Sequence, residues 1–68
     1  MKLVKTISDI PFSVSLYQQS PDTFAVVYGM QLRDGLSYSA AAKEMGLCIM
    51  HSLTCDGKIT TPDDYEGK

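Results

Sequence analysis

The sequence predicts a small α+β domain, a β-β-β-α order with room for a short final strand, in which an antiparallel sheet carries one helix packed on one face. Three observations predict it. Apolar and polar residues alternate with period 2 over Phe12–Tyr17 and Thr23–Arg33, as half-buried strands require. A turn-forming cluster, Gln18 to Asp22, separates these stretches, and an alanine run at Ala40–Ala42 opens a helical pattern that reaches Cys55.

Taken in order, Met1–Ser8 holds Leu3, Val4 and Ile7, enough for a short first strand. Asp9-Ile10-Pro11 ends it, because proline lacks an amide donor and restricts the residue before it. In Phe12–Tyr17 the residues Phe12, Val14 and Leu16 share one face. Pro21 presets φ for a turn, and Ser20 and Asp22 bond local backbone readily. Thr23–Arg33 then reads as one long strand with Phe24, Val26, Tyr28, Met30 and Leu32 on one side and Ala25, Val27, Gly29, Gln31 and Arg33 on the other. Gly29 in its middle marks a bulge, a bend or a close approach of another backbone.

Asp34-Gly35 ends that strand, and Ser37 or Ser39 caps the helix by accepting an otherwise unpaired amide. Gly57 stops it, since glycine takes the left-handed position without a Cβ clash. Steps of about 100° per residue put Tyr38, Ala41, Ala42, Met45, Cys48, Ile49 and Leu53 on the stripe that packs on the sheet. Small Ala41, Ala42 and Gly46 would allow close approach of helix and strands. Lys58–Thr61 has room for a last strand, and Pro62 closes a single domain of residues 1–62. Residues 63–68 then read as an acidic, flexible tail.

A chain of 68 residues has room for one core and little for a deep cleft. Net charge is −2 and the six Lys and Arg residues are scattered, so the electropositive footprint that nucleic acid demands is missing and none is expected as a partner of this chain alone. No stretch reaches the roughly 18 apolar residues of a membrane span, and the first ten residues lack a cleavable leader pattern, which points to a cytoplasmic protein.

Cys48, His51 and Cys55 form C-x2-H-x3-C on one helix face, and zinc has to be weighed. Seven residues separate the thiols, about 10.5 Å along a straight helix, too far to share one ion easily and beyond disulfide reach. Cys48 and His51 at i, i+3 meet the minimum for an activated thiol, but no third orienting group, oxyanion site or glycine-rich loop accompanies them. The expectation is no enzyme, no metal and no cofactor.

The stretch from Phe24 to Asp63, carrying Gly35, Ser37, Ala40, Ala41, Asp56, Gly57 and Pro62, resembles the small HicB-type antitoxin domains. The resemblance implies a β-β-β-α-β, partial ribonuclease-H-like fold that blocks a toxin by docking on it. The family's Pro-x-x-Pro-Gly segment has no counterpart between the second strand and the helix, and its appended DNA-binding domain is not expected here.

Leu47 and Met50 project from the side of the helix opposite its core stripe, near His51, and the second sheet face holds Ala25 and Val27. Two such surfaces on a small chain point to a protein partner and to a homodimer. The expected contact residues are Ala25, Val27, Gly29, Leu47, Met50 and His51. The functional expectation is a non-catalytic interaction module, a small inhibitor or antitoxin-like regulator. A virus-encoded anti-defence inhibitor and an accessory subunit of a larger complex are the alternatives.

Overall fold

A computed structural model describes residues 1–59, and in it four strands precede one helix. β1 (Lys2–Ile7), β2 (Val14–Ser20), β3 (Thr23–Tyr28) and β4 (Gln31–Leu36) form an antiparallel meander in the order β1-β2-β3-β4, followed by α1 (Tyr38–Cys55). The domain is α+β, with α1 lying on one face of the sheet against β3, β2 and β4.

The long strand expected over Thr23–Arg33 is two strands. A two-residue turn at Gly29-Met30 folds the chain back, and Tyr28 pairs with Gln31. Gly29 has φ +59 while no non-glycine residue among the described residues has positive φ, the sign pattern of a type II′ hairpin turn with glycine first. The alternation hides this turn because reversing the chain exchanges the faces. Val27 is paired with Leu32 and Val26 with Arg33, so Leu32 lies on the face opposite Val26 rather than beside it. Met30, expected in the apolar row, is fully exposed at the turn.

The strand does not end at Asp34-Gly35 either. β4 runs on to Leu36 through a bulge, since Phe24 and Val26 face Leu36 and Arg33, which leaves one extra residue on β4. Gly35 takes φ +66 there, and its N–H donates to Gln19 Oε1 at 2.8 Å, a bond that reaches across β3. β2 in turn extends to Ser20, so the β2–β3 turn tightens to Pro21-Asp22. The Ser20 and Thr23 hydroxyls both donate to Asp22 Oδ1 and hold its carboxyl below the usual carboxylate range.

Cross-strand register sorts the side chains into two faces. Toward the helix lie the rows Lys2-Gln18-Phe24-Leu36, Lys5-Leu16-Val26-Arg33 and Ile7-Val14-Tyr28-Gln31. On the open side lie Leu3-Tyr17-Ala25 and Thr6-Ser15-Val27-Leu32. The core between the layers is Val14, Val26, Ala41 and Cys48, flanked by partly buried Leu16, Phe24, Tyr28, Leu36, Met45 and Ile49.

The helix is capped at both ends. Ser37 Oγ accepts from Ala40 N–H at 3.2 Å, selecting Ser37 over Ser39 as the cap. Gly57 at φ +75 donates to the Thr54 carbonyl and Lys58 to the Leu53 carbonyl, which together make a Schellman motif. The inward stripe is narrower than the sequence suggests. Ala41, Cys48 and Ser52 are its buried members, while Tyr38, Ala42 and Gly46 are exposed. A Cβ on Gly46 would meet nothing within 4 Å, so only Ala41 serves the close approach expected of the small residues. Lys58 and Ile59 are not in a strand, and the rest of the final-strand expectation, with Pro62 and the acidic tail, lies outside the described residues.

Candidate functional site

The loop between β1 and β2 is tied to the helix by one side chain that the apolar pattern conceals. Ser52 is fully buried, accepts from Phe12 N–H at 2.8 Å and donates to Phe12 O at 3.3 Å. Phe12 therefore belongs to the loop, not to β2. Its ring meets that of Tyr28 edge-on at 6.4 Å. Ser52 follows Cys48 by four residues on the core stripe, so a polar residue there has to find a backbone partner.

These contacts frame a groove of about 400 Å³ between the second half of α1 and the β3–β4 hairpin. Phe12 and Tyr28 form one wall, Leu47 and Cys48 another, and Gly29, Gln31 and His51 complete it. Gly29 has open space where a Cβ would be, so the turn adds backbone rather than bulk to the rim. Tyr28 Oη and His51 Nδ1 share a hydrogen bond of 2.8 Å, and the rings stand at 90° with centroids 5.8 Å apart. Partial burial pushes the Tyr28 phenol above its ordinary range. Leu47 and Met50 are 56% and 54% exposed on the same helix. A second apolar groove of about 280 Å³ lies at the helix's other end, between Leu16, Phe24, Tyr38, Ala41, Ala42 and Met45.

Of the six contact residues expected from sequence, Gly29, Leu47 and His51 come together on the first groove, with Met50 one residue before His51 on the exposed helix surface. Val27 and Ala25 lie on the opposite face of the sheet. Ala25 is fully buried, so its side chain offers no contact surface, and Val27 with Leu3 and Leu32 forms the apolar part of that face. Phe12, Tyr28 and Gln31 are groove residues the sequence reading did not assign to a site. The turn after Tyr28, the signal that would have set Tyr28 beside Gln31, is masked by the alternation, and Phe12 is placed by its bonds to Ser52.

The two thiols occupy different environments. Cys48 is buried with Sγ 3.9 Å from Glu44 Oε1, and burial followed by the nearby carboxylate pushes its pKa up. Cys55 is exposed, with Sγ 3.9 Å from both ring nitrogens of His51. No group of three or more His, Cys, Asp or Glu side chains able to hold a metal ion occurs among the described residues. Titration of the native protein with a thiol reagent at neutral pH is expected to modify Cys55 promptly and Cys48 only on unfolding. Equal rates at both thiols would contradict the placement of Cys48 in the core.

No helix among the described residues is long and apolar enough to cross a membrane. No protein-family model, no curated protein and no solved structure matches the chain.

Proposed function

We propose that this chain is a non-catalytic interaction module, active as a homodimer in the cytoplasm, that docks on a larger protein and thereby inhibits it in an antitoxin-like manner. The observation that carries the reading is the groove beside α1, with apolar walls from Phe12, Tyr28 and Leu47 and a polar rim at His51 and Gln31. Its apolar centre and hydrogen-bonding edge match the anatomy of protein interfaces. Its size suits one large anchoring side chain from a partner, the kind of pocket in which binding energy concentrates. Leu47 and Met50 extend the apolar surface along the helix beyond the groove. The low net charge of −2 leaves recognition to shape and hydrogen bonding rather than to long-range steering.

Affinity capture from the native cell tests the reading. Wild-type protein is expected to retain one partner in constant ratio, and Leu47→Lys and Met50→Lys to release it while keeping the wild-type circular dichroism spectrum. A lysine placed in a desolvated contact costs several kcal/mol, enough to abolish capture. Capture unaffected by both substitutions would refute the groove as the docking surface.

A further inference from the structure

We propose that Cys55 is a modification site that reacts with low-molecular-weight disulfides, with His51 taking its proton and Tyr28 positioning His51. The sequence offers Cys48 and His51 as the thiol–imidazole pair and shows no group to orient them. The structure pairs His51 with the other thiol. Cys48 is buried with its sulfur toward Glu44, whereas Cys55, the last residue of α1, is exposed with Sγ 3.9 Å from both ring nitrogens of His51. The two side chains are four residues apart on the helix and so share a face.

The orienting group comes from the sheet. Tyr28 Oη on β3 lies 2.8 Å from His51 Nδ1, and the two rings stand at right angles. With Nδ1–H donating to the phenol oxygen, Nε2 keeps the lone pair and is the atom free to take the thiol proton. Tyr28 and Cys55 are the titratable groups bonded to the imidazole among the described residues. A nucleophile, a base within reach and a third side chain that fixes the base form the arrangement that activates weak nucleophiles, and the first separation is often looser before a reactant binds.

The step is an exchange and needs no further oxidant. The Cys55 proton passes to Nε2, the thiolate attacks one sulfur of the small disulfide, and that S–S bond breaks as the new one forms. The departing thiolate then takes the proton from the imidazolium, which leaves a mixed disulfide on Cys55 and one free small thiol. A helix C-terminus does not favour an anion, so the imidazolium is the charge that accompanies the thiolate. Cys48 is buried and about 10.5 Å away along the helix, beyond disulfide reach, so it does not displace the adduct. Only an external thiol reverses the reaction, which makes Cys55 a stoichiometric site and not half of a catalytic dithiol.

Incubation of the purified full chain with oxidised glutathione, with the adduct followed by intact mass, tests the proposal. At about pH 7 an ordinary thiol is only about 3% ionised, so proton removal can raise the rate at most about thirtyfold. The lower nucleophilicity of a less basic thiolate takes back part of that gain. Wild-type protein is expected to react about fivefold faster than His51→Gln at about pH 7, and at the same rate above about pH 10, where thiols ionise unaided. His51 is exposed, so the glutamine variant is expected to fold. Tyr28→Phe keeps the ring and removes only the partner of Nδ1, and its rate is expected between the two. Cys55→Ser is expected to take up no adduct while folded. Equal rates for wild type and either His51→Gln or Tyr28→Phe at neutral pH, a ratio that does not fall as pH rises, adduct on Cys48, or a disulfide-linked dimer in place of the adduct overturns the proposal. The exchange is measured on the free protein, so it stands or falls independently of partner capture through Leu47 and Met50.

Discussion

Ser52→Ala is expected to lower the thermal midpoint by about 5–15 °C, out of proportion to the loss of one oxygen atom. The hydroxyl is fully buried and closes two bonds to the Phe12 backbone, forty residues away in sequence. Alanine fills the space of the Cβ but leaves the partly buried Phe12 N–H without its acceptor. An unmet donor of this kind costs about 1–3 kcal/mol, whereas a satisfied bond contributes only about 1. The loop from Ser8 to Ser13 would also loosen from the helix, and with it the Phe12 wall of the groove. Thermal unfolding followed by circular dichroism checks the outcome, and a shift under about 2 °C would show that the Phe12–Ser52 bonds are not made in solution.

Val26→Ala is expected to cost about 2–3 kcal/mol. Val26 is 1% exposed at the centre of the core, and its two lost methyl groups represent about 1.6 kcal/mol of transfer free energy before the cavity is counted. Met30→Ala supplies the contrast. On one continuous strand Met30 would share the buried row of Val26 and cost at least as much. At the tip of the β3–β4 turn it touches little, and the expected change is within about 0.5 kcal/mol. Urea unfolding of both variants measures the difference. Equal losses would contradict the hairpin at Gly29.

Much of the fold is readable from local chemistry. Ser37, Gly57 and the Pro21-Asp22 turn act through their nearest neighbours, so their roles follow from residue type and position. β1 is likewise foreshadowed by Leu3, Val4 and Ile7. What escapes is set by pairing between distant strands. The Gly29-Met30 turn preserves the alternation while exchanging the faces, and only the register of β3 with β4 reveals that Leu32 is on the open side. Gly46 shows the limit of residue type on a helix, where a small side chain marks close packing at Ala41 and nothing at Gly46.

The candidate site divides in the same way. Leu47, Met50 and His51 were legible because they fall off the helical core stripe. Phe12 and Tyr28 were not, since both sit at apolar positions that a regular strand would turn toward the core. Ser52 looks like an ordinary polar residue until Phe12 is seen beside it.

Hydrogen exchange of the captured complex, compared with the free protein, tests the central claim that this chain works through the groove beside α1. Added protection is predicted at the amides of Tyr28–Leu32 and Leu47–Ser52, with Lys2–Ile7 unchanged. Protection confined to β1, or spread over the second groove near Tyr38 and Met45, would contradict it.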